Sequence, residues 1–178
     1  MSTALRRDAA ANRERLIAAA IDVFNDEGMD AGVERIAHRA GVGVGTLYRR
    51  FPTKEALVAH LVDELITQMV DSACSARDVP DGNGLEHFVR GIADTLSAHR
   101  GCLSRLWTHE YDKHRAVLRR RLGQLVQDAH AAGAIRADVT VADVRSMLWS
   151  LHGVIANAGD DAARACGRHL DLLFAGMR

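Results

Sequence analysis

Gly41-Val42-Gly43-Val44-Gly45-Thr46-Leu47-Tyr48-Arg49-Arg50-Phe51-Pro52-Thr53-Lys54 places a glycine-rich turn in front of a helix of about two turns. That helix carries a hydroxyl, a phenol and two guanidiniums. It stops at Pro52, whose ring forces Phe51 into an extended conformation. Immediately before the turn, Val33, Ile36, Ala37 and Ala40 recur at helical spacing. Two short helices separated by a tight turn, the second basic and partly apolar, form a helix-turn-helix pattern.

Outward from this motif the spacing predicts a first helix over Asn12 to Asn25. Asn12 serves as its N-cap, and Leu16, Ala20 and Phe24 form one apolar stripe. Gly28 ends it, and Gly41 ends the second helix, Val33 to Ala40. In the third, Val44 to Phe51, the residues Val44, Leu47 and Phe51 point inward. Thr53 caps a long fourth helix from Lys54 to about Cys74. Ser75 to Gly84, with Pro80 and two glycines, reads as a surface loop. Further helices are expected near Leu85–His99, Leu103–His109, Arg115–Ala132, Val141–Ala158 and Asp161–Ala175. Thr140 and Asp143 suit a capping box at the start of Val141–Ala158.

Only two prolines interrupt the 178 residues, and no strand-like alternation persists. The fold class is therefore all-α: an N-terminal three-helix helix-turn-helix head plus a larger helical body, about nine helices in total. The expected division is 1–53 for the head and 54–178 for the body. Apolar residues make up 48% of the chain, enough for a real core. No run is long enough to span a membrane, and no secretory signal is expected, because the charged first residues have no apolar segment behind them. Cys74, Cys102 and Cys166 are isolated and odd in number, which points to a reducing cytoplasm. They read as small packing residues, with a redox sensor as the alternative.

The net charge is +0, from 23 basic and 23 acidic residues, so the chain is no general coat for nucleic acid. A local basic patch is what specific DNA binding needs. Arg6 and Arg7 could form a flexible arm for the DNA backbone or minor groove, or a solvated terminus. On the third helix, Gly45 lets the backbone approach DNA closely. Thr46 can bond a phosphate or touch a thymine methyl, and Tyr48 can reach a phosphate. Arg49 and Arg50 can pair phosphates, or one can take guanine bidentately. Lys54 offers a second phosphate anchor.

From Gly28 to Leu57 the chain resembles the signature of the tetracycline-repressor (TetR) family of transcriptional regulators. The order Gly45-Thr46-Leu47-Tyr48, then Phe51-Pro52-Thr53-Lys54-Glu55-Ala56-Leu57, carries the resemblance, which covers about the first third of the chain. It implies an all-helical homodimer whose heads read double-stranded DNA and whose bodies hold a ligand cavity and the dimer interface. By that analogy Thr46, Tyr48 and Lys54 anchor the DNA backbone, and Val44 and Arg49 face the bases. Three positions depart from the pattern. Gly32 lacks the hydroxyl common near it, Gly43 stands where serine is frequent, and Val44 stands where a polar residue is frequent.

In the body, Trp107, His109, Tyr111, Trp149 and His152 could line a pocket for a small-molecule effector, or serve as ordinary packing. His87 and Phe88 are weaker candidates. Leu148, Leu151 and Ile155, with Leu170 and Leu173, form stripes that suit a four-helix dimer bundle or else close the core of one chain. Arg115, Arg119, Arg120 and Arg121 read as a solvated face or a landing site for an anionic effector. No His and Cys spacing forms a recognised zinc pattern, and no nucleophile elbow or phosphate loop is present. No cofactor and no enzymatic activity are expected. The expected function is an operator-binding repressor released by an effector. A helical ligand-binding or adaptor protein without DNA binding, and a metal-responsive regulator, stand as the alternatives.

Overall fold

A computed structural model describes residues 3–106, 108 and 112–178, with the side chains of 3–9, 112–114 and 160 left out of the description. Among these residues there are nine α-helices and no strand. They are α1 (Thr3–Glu27), α2 (Val33–Ala40), α3 (Val44–Arg50), α4 (Lys54–Ser75), α5 (Gly84–Ala98), α6 (Leu103–Leu106), α7 (Asp112–Ala131), α8 (Val141–Ala158) and α9 (Ala162–Met177). The all-α expectation with a helix-turn-helix head holds.

The head closes on one apolar knot. Leu16, Ala20 and Phe24 of α1, Ile36, Ala37 and Ala40 of α2, Leu47 of α3 and Phe51 after it are all buried. With eight and seven residues, α2 and α3 are too short to be stable in isolation, so packing of these faces against α1 holds them. The core runs on without a break through Leu57, Leu61 and Leu65 of α4 into the body. There α5 is the central helix, touching α4, α7, α8 and α9. Its buried side is Leu85, Phe88, Val89, Ile92 and Leu96.

Two expectations are corrected. First, α1 begins at Thr3, not at Asn12. Ala9, Ala10 and Ala11 favour continued helix, and the Asn12 side chain accepts from Arg15 on the helix surface instead of capping. The backbone of Arg6 and Arg7 is therefore helical, not a flexible arm. Second, Leu148, Leu151, Ile155 and Leu170 are 0–2% exposed within the single chain. They close the subunit's own core and offer no surface to a second copy. Leu173 is half-buried against the same core. Of the expected helix Leu103–His109, Leu103–Leu106 is helical as α6, and Trp107 and His109 lie outside the described residues.

The fourth helix starts as expected, with the Thr53 hydroxyl accepting from the Ala56 N–H at 3.1 Å. Cys102 and Cys166 are buried. Burial pushes the Cys102 thiol up to about 11, so it stays protonated near neutral pH and is a poor redox sensor. No described helix is long and apolar enough to cross a membrane.

Candidate nucleic-acid interface

The turn between α2 and α3 is built by Gly41. Its φ of 67° and ψ of 34° are left-handed, and Val42 N–H then bonds back to the Ala37 carbonyl at 3.0 Å. This satisfies the end of α2 and redirects the chain. Gly32 and Gly43 cap α2 and α3 in extended backbone with no side-chain hydrogen bond. A glycine cap is only a few tenths of a kcal/mol poorer than serine. At the far end, Phe51 is buried and its N–H bonds the Leu47 carbonyl at 2.8 Å, which pins α3 to the core from behind.

With Leu47 fully buried, the opposite side of α3 must face solvent. Tyr48 is 43% exposed, and Gly45, Arg49 and Arg50 are exposed. Thr46 is half-buried. Val44 is half-buried and packed on the core, so only part of it is left for a base. Lys54 is half-buried with its Nζ 5.8 Å from the centre of the Phe24 ring. That contact steadies it at the start of α4 while leaving the charge available.

The charges of α2 and α3 differ in their commitments. Arg35 forms a fork on Glu27 with contacts of 2.8 and 3.1 Å, and the hydrogen bond from Arg35 holds the Glu27 carboxyl below its usual range. Arg39 pairs with Asp26 at 3.3 Å. Arg49 and Arg50 have no ion pair with any described carboxylate. Uncommitted guanidiniums on a rigid, solvent-facing helix are what a phosphate or a guanine edge requires.

Beside them, sequence reasoning missed a contribution from α1. Asn12, Arg13, Leu16, Thr46, Arg49 and Arg50 line a cleft of about 180 Å³ between α1 and α3. Arg13 Nη2 donates to His60 Nε2 at 2.5 Å and lies 3.4 Å from Glu64 Oε1, so α4 holds it from behind. Arg13 stands three residues before Leu16, on the same face just beyond the apolar stripe. That spacing was the available signal.

The body residues fare differently. Trp149 is 61% exposed, so its ring faces out of the subunit and lines no internal pocket. His152 is half-buried one turn further along the same side of α8. Trp107, His109, Glu110 and Tyr111 lie outside the described residues. Among the described residues no cluster of three or more metal-ligating side chains occurs. His87 is exposed, whereas Phe88 is core.

A helix-turn-helix head on a larger helical body, with an exposed basic second helix, defines a DNA-binding regulator of transcription. Comparison with known proteins supports this. The family model for bacterial regulatory proteins of the tetR family matches residues 16–61, and the model for the SbtR-like transcriptional regulator C-terminal domain matches residues 80–178. A TetR transcription regulatory protein from Mycobacterium vanbaalenii is 32% identical, with a TM-score of 0.69 over 98% of this chain and 99% of that one. A TetR regulator from Streptomyces coelicolor is 34% identical, with a TM-score of 0.70 over 93% and 98%. HTH-type transcriptional regulators from Staphylococcus aureus are 32–39% identical over 59–75 residues, so the matched part spans only 32–40% of those relatives. The chain belongs to the tetR family of transcriptional regulators.

Proposed function

We propose that the protein is a homodimeric repressor, located in the cytoplasm, that binds a pseudo-palindromic operator and is released by a small-molecule effector. Residues 1–53 would read DNA, and residues 54–178 would hold the effector and the partner subunit. The observation that carries the reading is the set of uncommitted, exposed Arg49 and Arg50 beside Tyr48 and Thr46 on a helix pinned from behind by Leu47. Tyr48, Thr46, Arg50 and Lys54 take phosphates, with Arg13 as a further contact from α1. Arg49 and the exposed part of Val44 face base edges. Two such heads reach successive major grooves of one operator.

The dimer surface is the outer side of α8 and α9. Trp149 and Leu172 are exposed at 61% and 57%, and small residues Gly153 and Ala156 continue the strip along α8. Ser150 Oγ and His169 Nε2, 2.7 Å apart, tie the two helices into one surface. Large apolar groups left in water on a flat helical pair favour a second copy of the same surface.

The test is fluorescence anisotropy with DNA from upstream of the protein's own gene, titrated across salt. Competitor-resistant binding whose affinity falls steeply with salt is expected. Tyr48→Phe should weaken operator and random DNA alike, whereas Arg49→Ala should relax base preference at one position by about 1–3 kcal/mol. If Arg49→Ala leaves base discrimination intact, Arg49 is a phosphate contact only. Binding no tighter than to random DNA, from a pool of all sequences, would leave the adaptor reading in its place.

A further inference from the structure

The segment from Ala98 to Cys102 joins the head to several parts of the body at once. Here α5 ends, and a 3₁₀ turn, Arg100–Cys102, leads directly into α6. That turn rests on the C-terminal end of α1 and also touches α4 and α8. Its contact with α1 is backbone on backbone. A Cβ added to Gly101 would lie 2.2 Å from the Phe24 carbonyl oxygen and 2.7 Å from the Asn25 nitrogen, so any side chain there must push the turn away from α1. Asn25 spends both ends of its amide on the same segment. Its Oδ1 accepts from the Gly101 N–H at 2.8 Å, and its Nδ2 donates to the Ala98 carbonyl at 2.8 Å. Asp26 faces Arg39 of the head at 3.3 Å and Arg100 of the turn at 4.0 Å.

We propose that this clasp, Asn25 against Ala98 and Gly101, sets the angle at which the head is carried. The inference rests on the reading of the protein as a dimeric DNA reader. A head attached only through α4 could pivot about that one helix. A second attachment, on α1, removes the pivot. The turn touches α8 and continues into α6, so the head is referenced to these helices of the body as well as to α4. Asn25 is thus a positioning residue, which touches no DNA itself.

Two measurements test it on the full-length protein. Spin labels at exposed Asp30 in the head and exposed Ala137 in the body report head angle within one chain, independent of DNA. Binding to a single half-site and to paired half-sites of varied spacing reports head placement. Asn25→Leu removes both hydrogen bonds. It should broaden the label distance, keep half-site affinity within about twofold, and cut paired-site affinity by about tenfold or shift the preferred spacing. Asn25→Asp keeps the acceptor for Gly101 and loses the donor to Ala98, so it should fall between. It carries the test if the leucine variant does not fold. Label distances and spacing preference equal to the wild type would overturn the clasp, as would parallel loss at half-site and paired site. A wild type that gains nothing from a second half-site would instead sink the dimeric reading, with the label distance still deciding the clasp.

Discussion

Two glycines in the recognition motif have opposite physical reasons to exist. Gly41 has a left-handed backbone and nothing within 4 Å of an added Cβ, so its requirement is conformational, not steric. Gly41→Ala should destabilise the protein by roughly 1–2 kcal/mol, the cost of a left-handed L-residue. Gly45 lies inside α3 in ordinary helical backbone, and an added Cβ there also meets nothing. Gly45→Ala should therefore stabilise the head by about 0.5–1 kcal/mol, since glycine is a poor helix former. Its effect on DNA should have the other sign, because the Cβ fills the space where a phosphate or base approaches. Urea melts with anisotropy on the same samples separate the two. A Gly45→Ala protein that is more stable and binds as tightly would remove close approach as the reason for Gly45. Both glycines were visible in the sequence, and the αL requirement at Gly41 followed from its place after a periodic run. The open space in front of Gly45 did not, because spacing says nothing of what lies across a surface.

At the scale of helices, punctuation was more legible than facing. Pro52, Thr53, Gly41 and the Thr140 to Asp143 box each act through the backbone of their own neighbours, so their meaning survives without tertiary information. In α8 the box is present: Thr140 N–H donates to Asp143 Oδ2 at 2.7 Å, and the Thr140 hydroxyl accepts from the Asp143 N–H at 3.3 Å. The Thr140 side-chain hydrogen bond, followed by the backbone one, holds the Asp143 carboxyl below its ordinary 3.8. A depressed carboxylate contributes stability that is fully present above its unfolded pKa and is lost as pH falls through the folded value. Stability from this box should thus be flat above about pH 5 and decline below 3.8, and Asp143→Asn should remove that part of the acid slope. Thr140→Ala should cost about 1 kcal/mol at neutral pH. An unchanged acid slope in Asp143→Asn, read by urea melts at pH 6 and pH 3, would sink the assignment. Facing was harder. Leu148, Leu151 and Ile155 form a stripe that periodicity alone assigns equally to a core or to a partner. Only the packing of α5 and α9 over it decides for the core.

For the molecule as a whole, that decision changes what dissociation should do. A subunit whose α8 and α9 leucines needed a partner would unfold when separated. Here Leu148, Leu151, Ile155 and Leu170 are already covered by their own chain, so a lone subunit keeps its core. In the proposed dimer, the exposed Trp149 and Leu172 are then the points at which charge should split the subunits without breaking the fold. Trp149→Arg should sediment as a monomer and keep the stability of the wild-type subunit within about 0.5 kcal/mol, as a surface substitution does. Its affinity for a single half-site should match the wild type. Its affinity for paired half-sites should fall by about a hundredfold or more, because the second head is no longer held at high effective concentration. A Trp149→Arg protein that still sediments as a dimer would move the interface off α8. One that is monomeric yet unfolded would mean that the two faces share a core after all.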